Sequence, residues 1–135
     1  MFSRAAFVFC VLCVASPLGA AQQKPTKADR SDAFFADRAI RVFHIELGEP
    51  ALTMLRQRPR AFAHGKVSEG ANSFADVGIH LKGMGSFRIV DEKPSFVLKF
   101  DQFAPDQEYC GLTKIMLNNS VQDHTYLAEL LATGL

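Results

Sequence analysis

The chain has 135 residues, 15 Lys plus Arg against 14 Asp plus Glu, and 48% hydrophobic residues. That length suits one domain with a single core. The near-balanced charge, without any basic block, argues against nucleic acid as the main partner. At the N-terminus, Arg4 precedes an apolar run from Ala5 to Ala15, which Ser16 and Pro17 break. Gly19 and Ala21 are small residues at the two positions that a signal peptidase reads. The pattern predicts a secretory signal peptide over 1–21, cleaved after Ala21, and hence a secreted or periplasmic protein. An anchor needs ~20 apolar residues, so none is expected after cleavage. Loss of Arg4 leaves a formally neutral mature chain of about 114 residues, enough for one core.

Cleavage also removes Cys10 and Cys13 and leaves Cys110 alone. No internal disulfide can then form, and the domain must rest on apolar burial. Cys110, beside Gly111 at the start of a predicted strand, reads as a small packing residue. His44, His64, His80 and His124 are scattered singly, without metal-ligand spacing.

Residues 22–37 are polar at first and carry Pro25; they read as a linker that becomes ordered near Phe34 and Phe35. Residues 38–47 end in an alternating run, with Phe43, Ile45 and Leu47 on one side, which predicts a strand. Pro50 to about Arg58 predicts a short helix that Pro59 stops, with Leu52, Leu55 and the stem of Arg56 at helical spacing. A weaker strand follows over Ala61 to Glu69, then a turn at 70–73 and a strand from Phe74. Val77, Ile79 and Leu81 alternate with Gly78, His80 and Lys82, and Phe96, Leu98 and Phe100 alternate with Ser95, Val97 and Lys99. Both runs read as strands with one buried face. Residues 104–111 form a turn-rich link, Leu112 to Leu117 a last strand, and about Gln122 to Thr133 a helix with Tyr126, Leu127, Leu130 and Leu131 as its apolar stripe. Strands outnumber helices and follow one another in sequence. The expected class is α+β, an antiparallel sheet with helices on one side.

Between the two central strands lies GMGSFRIVDEKP, residues 83–94. Gly83 and Gly85 allow positive φ and close backbone approach, Ser86 offers a hydroxyl, and Arg88, Lys93 and Lys99 offer cations. Such a loop can hold phosphate between backbone donors and fixed charge. The alternative is a long polar hairpin with solvated charges, in which Arg88 pairs with Asp91 or Glu92 and Lys99 points to solvent.

Three blocks in order, VGIHLKGMGSFR (77–88), KPSFVLKFDQF (93–103) and GLTKIMLNNSVQDHTYLAELL (111–131), resemble the N-terminal part of the spore-coat protein H (CotH) kinase-like family, a secreted, atypical branch of the protein-kinase-like fold. The resemblance runs from about Val42 to the C-terminus. It implies a nucleotide-binding N-lobe over 38–135, ATP and Mg as cofactors, and phosphorylation of secreted proteins by a complete relative. Under it, Gly83, Gly85, Ser86 and Arg88 cover the phosphates, Lys93 or Lys99 neutralises them, and Glu129 holds that lysine. Asn118 and Asn119 resemble the family's LNN block and are expected to turn the chain and bond backbone before the helix. No DFG-like or HRD-like segment is present, so no catalytic residue is assigned. The chain reads as a truncated family member or fragment, inactive alone. The other function class is a non-catalytic extracellular module that binds a protein or glycan on the same sheet. Export is tested by N-terminal sequencing of the mature product, which should begin at Gln22; an intact Met1 in the exported fraction refutes it.

Overall fold

The structure, a computed structural model, describes residues 24–122 and 125. The predicted signal peptide, Glu129 and all but the start of the helix expected over 122–133 lie outside them. The elements are α1 (Lys27–Ala36), β1 (His44–Glu46), α2 (Glu49–Gln57), β2 (Ala63–Glu69), β3 (Asn72–Lys82), β4 (Ser95–Lys99) and β5 (Lys114–Leu117). The five strands form one antiparallel sheet in sequence order. The α+β class follows directly, since every strand pairs with its sequence neighbour.

Alternation along β3 decides which face is buried. Val77, Ile79 and Leu81 are fully buried. Their cross-strand partners share that face: Ala63 and Leu98 flank Ile79, Phe96 flanks Leu81, and Ile115 and Leu117 continue the rows on β5. α2 lays Ala51 and Leu55, one turn apart, against Ala63 and Leu81. α1 brings Phe34 to the cluster of Val67, Val77, Ile79, Leu98, Phe100 and Tyr109. Both described helices therefore cover the same face. Each fully buried aliphatic side chain contributes roughly 1.5–3 kcal/mol. The other face carries His64, Lys66, His80, Lys82, Lys99 and Lys114.

Several elements differ from expectation. Lys27–Ala36, within the segment read as linker, is a helix. Its start is a capping box: Asp29 N–H donates to the Thr26 hydroxyl at 3.2 Å, and Thr26 N–H donates to the Asp29 carboxylate at 2.8 Å. It has no broad apolar stripe, so periodicity does not reveal it; Phe34 alone reaches the core, while Lys27 and Arg30 pair with Glu108. Hydrogen bonding to Lys27 and the Arg30 charge hold the Glu108 carboxyl below the usual range, against the effect of burial. The strand expected over 38–47 is reduced to His44–Glu46, although Phe43 and Leu47 still pack on the core. On α2 it is Ala51 with Leu55, rather than Leu52, that is buried.

Cys110 is not a packing residue. Tyr109 and Leu112 exchange two backbone hydrogen bonds, at 2.9 and 2.8 Å, across Cys110 and Gly111. Cys110 has φ +49 and Gly111 φ +80, the two left-handed positions of a type I′ hairpin turn. The thiol is exposed, and the buried residue here is Tyr109. Gly111 is needed twice over, because a Cβ there would lie 2.3 Å from the Lys27 carbonyl oxygen. Gly111→Ala should therefore cost more than about 1 kcal/mol by loosening α1. Cys110→Asn should gain up to about 1 kcal/mol, since Asn tolerates this conformation. Denaturant unfolding of the mature chain checks both, and a Gly111→Ala variant as stable as its parent would refute the close contact.

Candidate functional site

Residues 83–94 join β3 to β4 across the Lys82–Ser95 pair. Twelve residues free of regular structure would be costly to order without internal support. This loop has such support. Gly83 adopts φ +112, and the Phe87 N–H turns back to the Met84 carbonyl at 3.4 Å. Further on, the Glu92 N–H donates to the Ile89 carbonyl at 3.1 Å. Phe87 and Val90 pack on the cluster of Ala51, Leu55, Ala63 and Leu81, so the loop has an apolar floor.

Two residues from outside the loop complete its support. Arg60, just after α2, donates to the carbonyls of Gly83 and Leu81, and its guanidinium lies 5.4 Å from the Phe87 ring centroid. Asn119, beyond β5, is 4% exposed. Its Nδ2 donates to the Ser86 carbonyl at 2.9 Å and to the Lys93 carbonyl at 3.0 Å. A surface ion pair adds to these: Arg56 on α2 grips Asp91 through Nη2 at 2.7 Å and Nε at 3.0 Å. That hydrogen bonding holds the Asp91 carboxyl below its ordinary range and raises the Arg56 guanidinium. Both groups are exposed, so the pair adds little stability.

The residues read from the sequence fall into three groups. Gly83, Gly85, Ser86, Arg88 and Lys93 share this one loop. Among them only Gly83 uses a positive φ; Gly85 does not, and is exposed. Arg88 donates to the Phe87 carbonyl at 2.7 Å, and its Nε lies 3.9 Å from Glu92. Lys93 is exposed. Lys99 is not brought to the loop. It is on the face away from the helices, where its Nζ donates to Gln102 at 3.3 Å and lies 3.7 Å from Asp101. It stands four residue steps along β4 from Ser95, roughly 13 Å of rise. Glu129 lies outside the described residues.

The roles of Arg60 and Arg56 at the loop were not anticipated, and Asn119 was expected to turn the chain and bond backbone before the helix, not to reach this loop. A single basic residue after a helix stop carries no local signal of its partner. Asn119 could have been suspected, because a polar pair directly after an apolar strand needs hydrogen-bond partners if it is buried.

The loop carbonyls of Gly83, Met84, Ser86, Phe87, Ile89 and Lys93 accept hydrogen bonds from the protein itself. Carbonyl oxygens repel an anion, and these are occupied with protein donors. The same loop carries the Ser86 hydroxyl, Arg88, which is engaged with the Phe87 carbonyl, and the exposed Lys93. Two surface depressions, about 480 and 290 Å³, lie elsewhere: one beside His64 and Asp76, the other beside Arg41 and Cys110. Among the described residues, no group of three or more His, Cys, Asp or Glu is arranged to hold a metal, and no helix is long and apolar enough to cross a membrane. No protein-family model, curated protein or solved structure matches the chain.

The two glycines make a sharp contrast. A Cβ at Gly83 would meet the Phe87 nitrogen at 3.0 Å in a left-handed backbone; one at Gly85 would meet only the end of the exposed Gln122 side chain, at 3.3 Å. Gly83→Ala should cost about 1–3 kcal/mol, as a forced left-handed residue does. Gly85→Ala should stay within about 0.5 kcal/mol of the parent, as surface changes do. Denaturant titration measures both, and equal effects would contradict this loop geometry.

Proposed function

We propose that this chain supplies the nucleotide-binding, N-lobe-like part of an exported atypical protein kinase of the CotH kind, with residues 83–94 as the phosphate-covering loop. The supporting observation is the carbonyl arrangement: six loop carbonyls are satisfied within the protein, and the same loop carries the Ser86 hydroxyl, Arg88 and the exposed Lys93. The five-stranded antiparallel sheet with helices on one face is compatible with such a lobe.

Within this reading, Ser86, Arg88 and Lys93 hold the phosphates. Lys93 is the better placed lysine, because it ends the loop, whereas Lys99 sits about 13 Å along β4. Lys99 and Glu129 take the paired roles of a kinase lysine and helix carboxylate only if the segment after β5 reaches the outer face of the sheet. ATP would supply the transferable phosphoryl group, and Mg would offset the charge of its phosphates. No described residue is assigned as a metal ligand or a catalytic base. Secreted proteins are the acceptor class this reading implies.

Exposed Met84, Ile89 and Met116 favour a second reading, a non-catalytic module that presents this end of the sheet to a protein partner. Calorimetry on the full exported protein separates the two. ATP should bind to the parent, and Lys93→Ala should weaken it about tenfold, or 1.4 kcal/mol. Lys99→Met should weaken it less. Gly85→Val should also weaken it by obstructing approach to the loop backbone. If Lys93→Ala and Lys99→Met both bind ATP as tightly as the parent, the pocket is elsewhere; a parent that binds no ATP favours the module.

A further inference from the structure

The segment leaving β5 touches the loop at three heights. At the base, Lys82 donates to the Asn118 side-chain oxygen. At the tip, the Gln122 amide lies against Gly85. Between them, the Asn119 amide reaches Ser86 and Lys93, on opposite limbs of the loop, and closes the two limbs into a ring. The same residue is tied to the sheet, because its backbone N–H donates to Ser95 Oγ at 3.0 Å. Ser95 is 2% exposed and is the first residue of β4. Asn119 Oδ1 accepts from the Val121 N–H at 3.4 Å, which orients the amide so that both its hydrogens face the loop.

We propose that Asn119 is the positioning residue of the phosphate loop: its side-chain amide sets the loop's shape, and through it the segment 118–122 and the loop move as one body. This rests on the phosphate reading above. A turn-forming role needs only the bond to Val121. The two bonds donated across to the loop go beyond it, and they explain the residue type. An Asp is the same size but has no hydrogens to donate, and would set a carboxylate against two carbonyl oxygens. A Ser is too short to reach both limbs, and a Gln is one methylene too long for a buried site.

The test compares Asn119→Ala and Asn119→Asp with the parent, all as the full exported protein. Hydrogen exchange of residues 83–94, thermal melting and ATP calorimetry are measured together. Loop exchange should rise at least tenfold while β3 and β4 stay protected, and ATP affinity should fall about tenfold. Acidification should also distinguish the variants. Protonating the introduced carboxyl restores one donor, so the affinity of Asn119→Asp relative to the parent should rise as the pH falls through the carboxylate range. That of Asn119→Ala should stay flat.

Loop exchange equal to the parent's in Asn119→Ala overturns the anchoring. A loosened loop with unchanged ATP affinity overturns the positioning role and leaves the phosphate reading standing. A parent that binds no ATP overturns the phosphate reading and the ligand half of this proposal, while the exchange data still decide the anchoring half. If both variants unfold, Asn119 is a requirement of the fold and the proposal fails.

Discussion

A one-residue bulge in β3 sets the direction of every later side chain in the sheet. Gly65 pairs with Val77 and Val67 pairs with Phe74, so Lys66 alone stands opposite Ala75 and Asp76. Without the bulge, Phe74 and Val77, three residues apart, would face opposite sides, because side chains alternate along a regular strand. With it, both face the helices. Asp76 takes φ +53 to make the bulge, a conformation that non-glycine residues rarely adopt. The strain is offset by what the phase change allows at each end of the strand.

At the first end, Phe74 enters an aromatic cluster centred on Tyr109. Ring centroids of Phe34, Phe43, Phe74 and Phe100 lie 5.4, 5.3, 5.8 and 5.9 Å from that of Tyr109. Phe34, Phe43, Phe74 and Phe100 meet on one ring, which ties four segments of the chain together. The Tyr109 hydroxyl is buried beside the Glu69 carboxylate without a hydrogen bond of normal geometry. Burial pushes the phenol up to about 12, with the Glu69 charge acting in the same direction. At the other end, Leu81 packs under α2 and the floor of the loop. The arrangement is a rigid sheet fastened at one end and carrying a long, anchored loop at the other, the usual division between scaffold and function.

The sheet was legible in the sequence because period-two alternation is a direct record of burial. Val77, Ile79, Leu81, Leu98 and Phe100 occupy the core face that their spacing indicates. The parity of Lys99 was legible too, and it places the side chain on the outer face. α1 was not legible, because its stability comes from a capping box and from contacts with Glu108 and Gly111, about 80 residues away. Cys110 was misjudged for a related reason. Asn-Gly or Asp-Gly marks a type I′ turn in a sequence, and Cys-Gly does not, although Gly111 supplies half of the geometry.

The candidate site shows the same limit more sharply. Two glycines two residues apart suggest a motif in which both loosen the backbone. In the fold only Gly83 does so, and the loop's shape comes chiefly from Arg60 and Asn119, 23 and 26 residues from the carbonyls they hold at Gly83 and Lys93. Hydrogen-bond donors brought from other elements leave no spacing pattern within the loop. They do leave a trace in residue type: a buried Asn must find partners, and an Arg beside an aromatic ring at a strand end can reach backbone carbonyls. A glycine-rich loop in an antiparallel sheet is thus better judged by the donors that its neighbours bring to its carbonyls than by its own glycines. In this chain those donors come from Arg60, after α2, and Asn119, beyond β5.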